Sequence, residues 1–434
     1  MKSVIARLGA FLFVLMSVMP ASAQAPEPVV ALTGGNIVDV MTGAVTENGV
    51  ILVRGERIAA IGAQGEVEIP AGARTVPMTG KWLIPGLMNM HTHFSLILPG
   101  AEGNRLANET PDAQALRMAN NAYHSLWSGV TAVRTPGEFG GVDFALKAAI
   151  ERGEVLGPRI ETSGTIIAPT GGHGYTEADG PYDFAHVARE QIKRGASWIK
   201  IAISGGIADT HGSISAAPMT DEELSTLIEV AHRNGVKVTA HNGSVEAARQ
   251  ALDFGIDCFE HGYHLDEPTL RRMKDEDVWL VPTIVVSQPG AYEFFRKIGS
   301  PDWYLERVES TGKDHWQMLQ NAIRIGVNIA LGSDQHPFEP NDGTTATVAE
   351  AELYQKAGMT PLQALQAATI QPARLMDRQQ DIGSLEAGKY ADVVAVDTNP
   401  LETISALRSL DFVMKGGAII RNDDAPATVT HPFD

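Results

Sequence analysis

The sequence predicts an α/β protein: a closed (β/α)8 barrel with a small β-sandwich domain formed by the two ends of the chain. Between about residues 83 and 375, eight strand-like runs alternate with helix-like segments, several of them closed by Gly before the next strand. Residues able to do chemistry sit at the ends of those runs, where a barrel of this kind gathers its active site. Both ends of the chain carry short alternating strands with tight turns, and neither end could bury a core alone. A doubly wound open sheet would need a Gly-rich dinucleotide turn after an early strand, and the sequence has none.

Taken in order, residues 1–23 read as a secretory signal peptide. Lys2 and Arg7 precede the apolar run 8–19, and Pro20, Ala21, Ser22 and Ala23 supply a small-X-small cleavage signal. The run is shorter than the roughly 20 residues that span a bilayer, and the cleavage region lacks the cysteine of a lipoprotein. An exported protein, periplasmic or secreted, is expected. The first flank, 29–82, holds β-rich pieces at 31–35, 36–40, 49–53 and 57–61 with Gly punctuation. The barrel, 83–382, has strand candidates at 83–89, 130–134, 159–165, 198–204, 236–240, 258–260, 278–284 and 327–331. Helix candidates between them include 112–127, 144–152, 221–234, 245–254, 267–274 and 303–325. The second flank, 383–434, matches the first with strands at 391–396 and 412–414, the latter followed by Lys415-Gly416-Gly417. The two flanks are expected to close one β-sandwich beside the barrel.

Composition narrows the partners. A net charge of −18 on 434 residues argues against nucleic acid and against stable association with anionic membranes. Cys258 is the single cysteine, so no intramolecular disulfide can form. The charge favours solubility and says little about the substrate.

The chemistry emerges from the strand ends. His91-Thr92-His93 ends the first run, and extended backbone puts alternate side chains on one side, so two imidazoles can face one ion. The fourth run, Trp198-Ile199-Lys200-Ile201, places a lysine in a segment too apolar for the surface. The fifth ends in Thr239-Ala240-His241-Asn242, the sixth in Phe259-Glu260-His261-Gly262, and the eighth in Leu331-Gly332-Ser333-Asp334. Imidazole and carboxylate suit Zn²⁺ and similar ions. A buried lysine is readily deprotonated, and its neutral amine can take up CO₂ to give a carbamate, an anion able to bridge two metals. Any one of these residues has an ordinary structural explanation; six in the order His-X-His, Lys, His, His, Asp at strand ends do not.

At this point the chain resembles the amidohydrolase superfamily over nearly all of its length after the signal peptide. The resemblance rests on Pro85-Gly86-Leu87-Met88-Asn89-Met90-His91-Thr92-His93, Glu260-His261-Gly262, Gly332-Ser333-Asp334 and the closing segment from Gly383 to Asp392. Thr170-Gly171-Gly172-His173-Gly174 and Trp198-Ile199-Lys200 are most similar to the Xaa-Pro dipeptidase (prolidase-like) branch, which includes ochratoxin-hydrolysing amidases and carboxypeptidase-like enzymes. The resemblance implies His91, His93 and Asp334 on a first Zn²⁺, His241 and His261 on a second, and carboxylated Lys200 bridging both. It also implies a hydroxide between the metals as nucleophile, Asp334 as proton carrier, His261 and Lys200 as part of the catalytic set, and a homo-oligomer. The reaction implied is hydrolysis of the amide bond of dipeptides, N-acyl amino acids or ochratoxin-type compounds.

Substrate contacts are expected from His173 in its Gly-rich loop, from Ser95 and Tyr263, and from His264, which stands where relatives often have a carboxylate-holding Tyr. Phe94, Leu96, Ile97, Leu98 and Phe338 are candidates for an apolar side-chain pocket, while His211 and His336 read as solvated loop residues. Two other readings compete. One is a one-metal cyclic amidohydrolase or deaminase of the imidazolonepropionase kind, which does not need Lys200. The other is an exported binding protein without catalysis, which does not need a complete ligand set.

Overall fold

The computed structural model describes residues 29–95, 97–210, 212–334 and 344–424. The signal-peptide reading of 1–23, the end of the second flank, and the readings of Leu96, His211, His336 and Phe338 lie outside the described residues. Among the described residues, no helix is long and apolar enough to cross a membrane.

Parallel strands build the barrel in chain order. They are Leu87–Asn89, Val130–Thr135, Arg159–Thr162 continued by Ile166–Ala168, Trp198–Ala202, Lys237–Asn242, Cys258–His261, Trp279–Val281 and Asn328–Ile329. Each pairs in parallel with the next. Backbone bonds from Met90 N to Leu331 O, 2.7 Å, and from Asp334 N to His91 O, 2.8 Å, join the eighth position to the first and close the ring. Strands covered on both faces need continuous apolar runs rather than alternation, and Ile199, Ile201, Val238, Ala240 and Phe259 are accordingly all buried.

Pro111–Trp127, Asp143–Glu151, Asp221–Arg233, Val245–Asp253, Glu267–Asp275 and Asp302–Ile325 lie within one residue of the helix bounds read from the sequence. Caps explain part of this accuracy. Thr220 accepts from Glu223 N at 3.3 Å while Glu223 returns a bond to Thr220 N at 2.9 Å, a closed capping box. Pro181–Arg194, Pro289–Lys297, Ala349–Ala357 and Pro361–Ala367 are further helices that the sequence reading passed over.

Three strand expectations need correction. The first run is two strands: Trp82–Pro85 pairs antiparallel with Val393–Val396, and only Leu87–Asn89 enters the barrel. Gly86 sits at the junction, where a Cβ would strike the Thr131 side chain, so the chain can change sheets only at a glycine. The barrel therefore starts at 87 rather than 83. The third run breaks between Thr162 and Ile166, with Gly164 at φ 71°. The seventh is cut short because Thr283 takes a left-handed φ of 49° and Ile284–Ser287 winds into a 3-10 turn.

The flanks meet in one mixed sheet of eight strands. Along it run Ala418–Asn422, Phe412–Lys415, Val393–Val396, Trp82–Pro85, Val29–Val38, Val45–Arg54 and Arg57–Ala63, with Arg74–Pro77 paired to Val29–Val38. Leu32, Ile37, Ile51, Leu83, Val393 and Phe412 form its core. A separate apolar cluster joins Leu98, Ile207, Tyr263, Phe295, Tyr304 and Val308, drawn from segments that follow the first, fourth, sixth and seventh barrel strands.

Candidate metal centre and substrate cavity

His91 and His93 lie just beyond the end of the first barrel strand, anchored by their neighbours. Asn89 Oδ1 accepts from His91 N and from Ser333 N, each at 3.1 Å, which ties the ends of the first and eighth strands together. His91 Nδ1 donates to Glu260 Oε2 at 2.7 Å and His93 Nδ1 to the carbonyl of Gly137. A carboxylate and a carbonyl can only accept, so both rings carry a proton on Nδ1 and turn Nε2 inward. The two Nε2 atoms stand 3.0 Å apart, and Asp334 Oδ1 lies 3.5 Å from the first and 3.2 Å from the second. Two ring nitrogens and a carboxylate this close need a proton or a cation among them: burial lowers the His93 pKa, but Asp334 outweighs it and raises it, and the donor set fits a divalent metal. His91, His261 and Asp334 also offer ligand atoms all within 4.8 Å of one another.

His261 and His241 extend the cluster. His261 sits at φ 64° and its Nδ1 meets Thr283 Oγ1 at 2.6 Å. His241 Nε2 donates to Gly205 O at 3.2 Å, leaving Nδ1 as its acceptor. The two ring centroids are 4.6 Å apart. Lys200 reaches the same cavity from the middle of the fourth strand and is 1% exposed. Burial lowers its pKa to about 8, although Glu260 and Asp334 pull the other way. Burial, with Lys200 adding to it, brings His91 down to about 4. His241 and His261 are lowered well below the usual imidazole range, again chiefly by burial. Burial opposes ionisation of Asp334, but His91, His93 and His261 outweigh it and hold its carboxyl well below the carboxylate range.

These groups open into a cavity of about 330 Å³. His173 and Tyr263 line it. His173 is oriented by Asp209, Nδ1 to Oδ1 2.6 Å, and Tyr263 stacks on His261 with centroids 5.0 Å apart and planes 9° from parallel. Gly206 lets His173 approach, since a Cβ there would strike its ring. Ile97, Leu98, Ala107, Ile207 and Val286 give the outer wall an apolar character, and Tyr175 and Tyr304 add phenols.

Three expected contacts fail to reach the cavity. Ser95 is buried, with its hydroxyl donating to Glu138 and accepting from Phe139 N at 2.8 Å, so it holds a loop. His264 pairs with Asp314 at 3.3 Å, because the turn at Gly262 (φ 71°) directs Tyr263 inward and its neighbour away. Phe94 packs into the main core.

The sequence reading missed several residues around the centre. Arg134 and Glu260 form a fully buried ion pair. Burial opposes ionisation of Glu260, yet Arg134, His91 and Lys200 hold its pKa at about 2. The signal for Arg134 was present, since it interrupts an apolar strand just as Lys200 does. Glu138 accepts from Phe94 N at 2.7 Å and Ser95 N at 2.8 Å, and burial raises it to about 7. Glu350 accepts from Ile284 N and Val285 N, both at 2.8 Å, bracing the turn beside Thr283. Neither glutamate has a local sequence signal.

Residues 82–420 match the amidohydrolase family. The chain is 27% identical over 418 residues to an ochratoxinase of Aspergillus niger, covering 86% of this chain and 83% of the relative. It is 25% identical over 419 residues to an imidazolonepropionase of a Geobacillus species, covering 87% and 91%. The crystal structure of a Xaa-Pro dipeptidase with methionine in its active site superposes with a TM-score of 0.83 at 28% identity, covering 91% of this chain and 100% of that one. The chain is a hydrolase that belongs to the amidohydrolase family.

Proposed function

We propose that this protein is a binuclear metal-dependent amidohydrolase that cleaves the C–N bond of dipeptides, N-acyl amino acids or ochratoxin-type amides. The observation that carries the reading is the facing pair of Nε2 atoms on His91 and His93 beside Asp334, in a cavity also lined by Lys200, His241 and His261. His91, His93 and Asp334 would hold one ion and His241 and His261 the other. Lys200 Nζ, once neutral, would add CO₂ and lose a proton to solvent, and the resulting carbamate would offer the two ions an anionic oxygen donor. Two bound divalent ions, Zn²⁺ in the first instance, would supply an acidified water and polarise the substrate carbonyl.

The chain's own part is binding and proton transfer. Asp334 accepts the proton of the attacking water on a carboxylate oxygen and passes it to the departing amine nitrogen. His173 and Tyr263 hold the polar end of the substrate, and the wall around Leu98 and Ile207 takes its apolar part. In the cell we place the protein outside the cytoplasm, as a homo-oligomer.

A one-metal deaminase-like reading draws support from His91, His261 and Asp334, which alone make a set for a single ion. Lys200 at the same cavity favours two. Metal analysis with a hydrolysis screen of dipeptides, N-acyl amino acids, lactones and ochratoxin-type amides, with and without chelator, tests the proposal. About two ions per chain with chelator-sensitive amide cleavage is the expected result. One ion with cyclic-amide or deaminase activity transfers the proposal to the second reading, and no metal with no turnover refutes both.

A further inference from the structure

We propose that Arg134 and Glu260 are positioning residues, a charged brace inside the barrel that fixes the backbone, tautomer and ring direction of His91. The inference rests on the metal-centre reading above, because it assigns His91 the role of a ligand.

Arg134 grips the chain on both sides of His91. Its Nε donates to Met90 O at 2.8 Å, and its own carbonyl accepts from Thr92 N at 3.2 Å. One arginine thus sets the peptide planes that flank the histidine. Its Nη2 donates to Glu260 Oε1, and its guanidinium carbon lies 4.7 Å from the Trp198 ring centroid. Glu260 then acts on the side chain. Oε1 also accepts from Thr239 Oγ1, which leaves Oε2 for His91 Nδ1 at 2.7 Å. A carboxylate in this position admits only the Nδ1–H tautomer, so Nε2 must present its lone pair toward His93 and Asp334. The brace spans the first, second, fifth and sixth barrel strands.

Fold stability does not account for the arrangement. Arg134 and Glu260 are both fully buried, and Arg134 Nη1 has no hydrogen-bond partner among the described residues. A buried ion pair is commonly replaced by apolar residues with little loss or with a gain in stability. Orientation of His91 is what an apolar pair could not supply.

The test uses E260Q, R134M and the double variant R134M/E260M, each stripped of metal and titrated with Zn²⁺ or Co²⁺ against a competing chelator. Thermal midpoints of the metal-free proteins and the visible spectrum of the Co²⁺ forms are also recorded. Each single variant leaves one buried charge uncompensated and should lower the midpoint. The double variant should recover it, which keeps the test alive if a single variant does not fold. Affinity for one of the two ions should fall about 10–100-fold in E260Q and stay low in the double variant, with an altered Co²⁺ spectrum. Recovery of wild-type affinity and spectrum together with the midpoint overturns the brace, because the pair would then be structural only. So does an E260Q protein that binds both ions like the wild type. A wild-type protein that binds no metal overturns the metal-centre reading itself, and this inference with it.

Discussion

Leu98→Ala separates a cavity wall from an ordinary core position. Leu98 is 5% exposed and packs in the cluster with Ile207, Tyr263, Phe295 and Tyr304, and it also lines the cavity beside the candidate metal centre. Truncation removes Cγ and both Cδ carbons. At about 0.8 kcal/mol per buried methylene the transfer loss is roughly 2.4 kcal/mol. Leu-to-Ala changes in sealed cores reach about 5 kcal/mol once an empty hole is added. Here the hole merges with a cavity that water can enter, so the loss should remain at about 2–3 kcal/mol, measured by denaturant unfolding at constant metal. The same change widens the apolar wall by three carbon atoms. Fitting one extra methylene is worth about 10–200-fold in selectivity, so the ratio of kcat/KM for a bulky apolar amide to that for an alanyl one should rise at least about tenfold. A stability loss of the expected size with an unchanged ratio would show that Leu98 faces its cluster and not the substrate, and would refute the apolar-wall reasoning.

Three further outcomes are expected. Asp334→Asn should retain metal and lose about 10²–10⁴-fold in kcat, the usual contribution of a proton carrier; an active, metal-replete variant removes that role. Lys200→Ala should lose one ion and most turnover, and acetate or propionate, which can replace the missing anion, should restore part of both. No rescue together with a full complement of metal would count against the carbamate. Glu350 is raised to about 8 by burial. A carboxyl raised in the folded state stabilises below its unfolded pKa and loses that contribution as pH rises through the folded value. The metal-free protein should therefore lose about 2–3 kcal/mol between roughly pH 6 and pH 9 relative to Glu350→Gln. Parallel stability curves for the two would remove Glu350 as the titrating group.

Legibility differed from one part of the molecule to another for physical reasons. The helix Asp221–Arg233 was readable because Thr220 and Glu223 close their cap three residues apart. The helix Pro181–Arg194 follows a Gly-rich loop and offers its Pro181 start signal without a side-chain cap, so it was passed over. The first strand was read as one because Leu83 to Asn89 is uniformly apolar apart from its end, and only the approach of Thr131 reveals that Gly86 divides it between two sheets. His173 and Tyr263 were readable as cavity residues from their loops. Ser95 and His264 were not excluded by sequence, because the groups that engage them, Glu138 and Asp314, lie 43 and 50 positions away.

The sequence by itself determined which side chains stand at the ends of the barrel strands, since strand alternation and the apolar runs that bury both faces act over a few residues. Tertiary closure decided what those side chains do to one another. Only when the second and sixth strands are folded into one ring does Arg134 meet Glu260, 126 positions later, and Glu260 meet His91. Only then do the Nε2 atoms of His91 and His93 oppose each other beside Asp334. Tautomer, charge and lone-pair direction are properties of contacts between distant segments, and no local pattern encodes them.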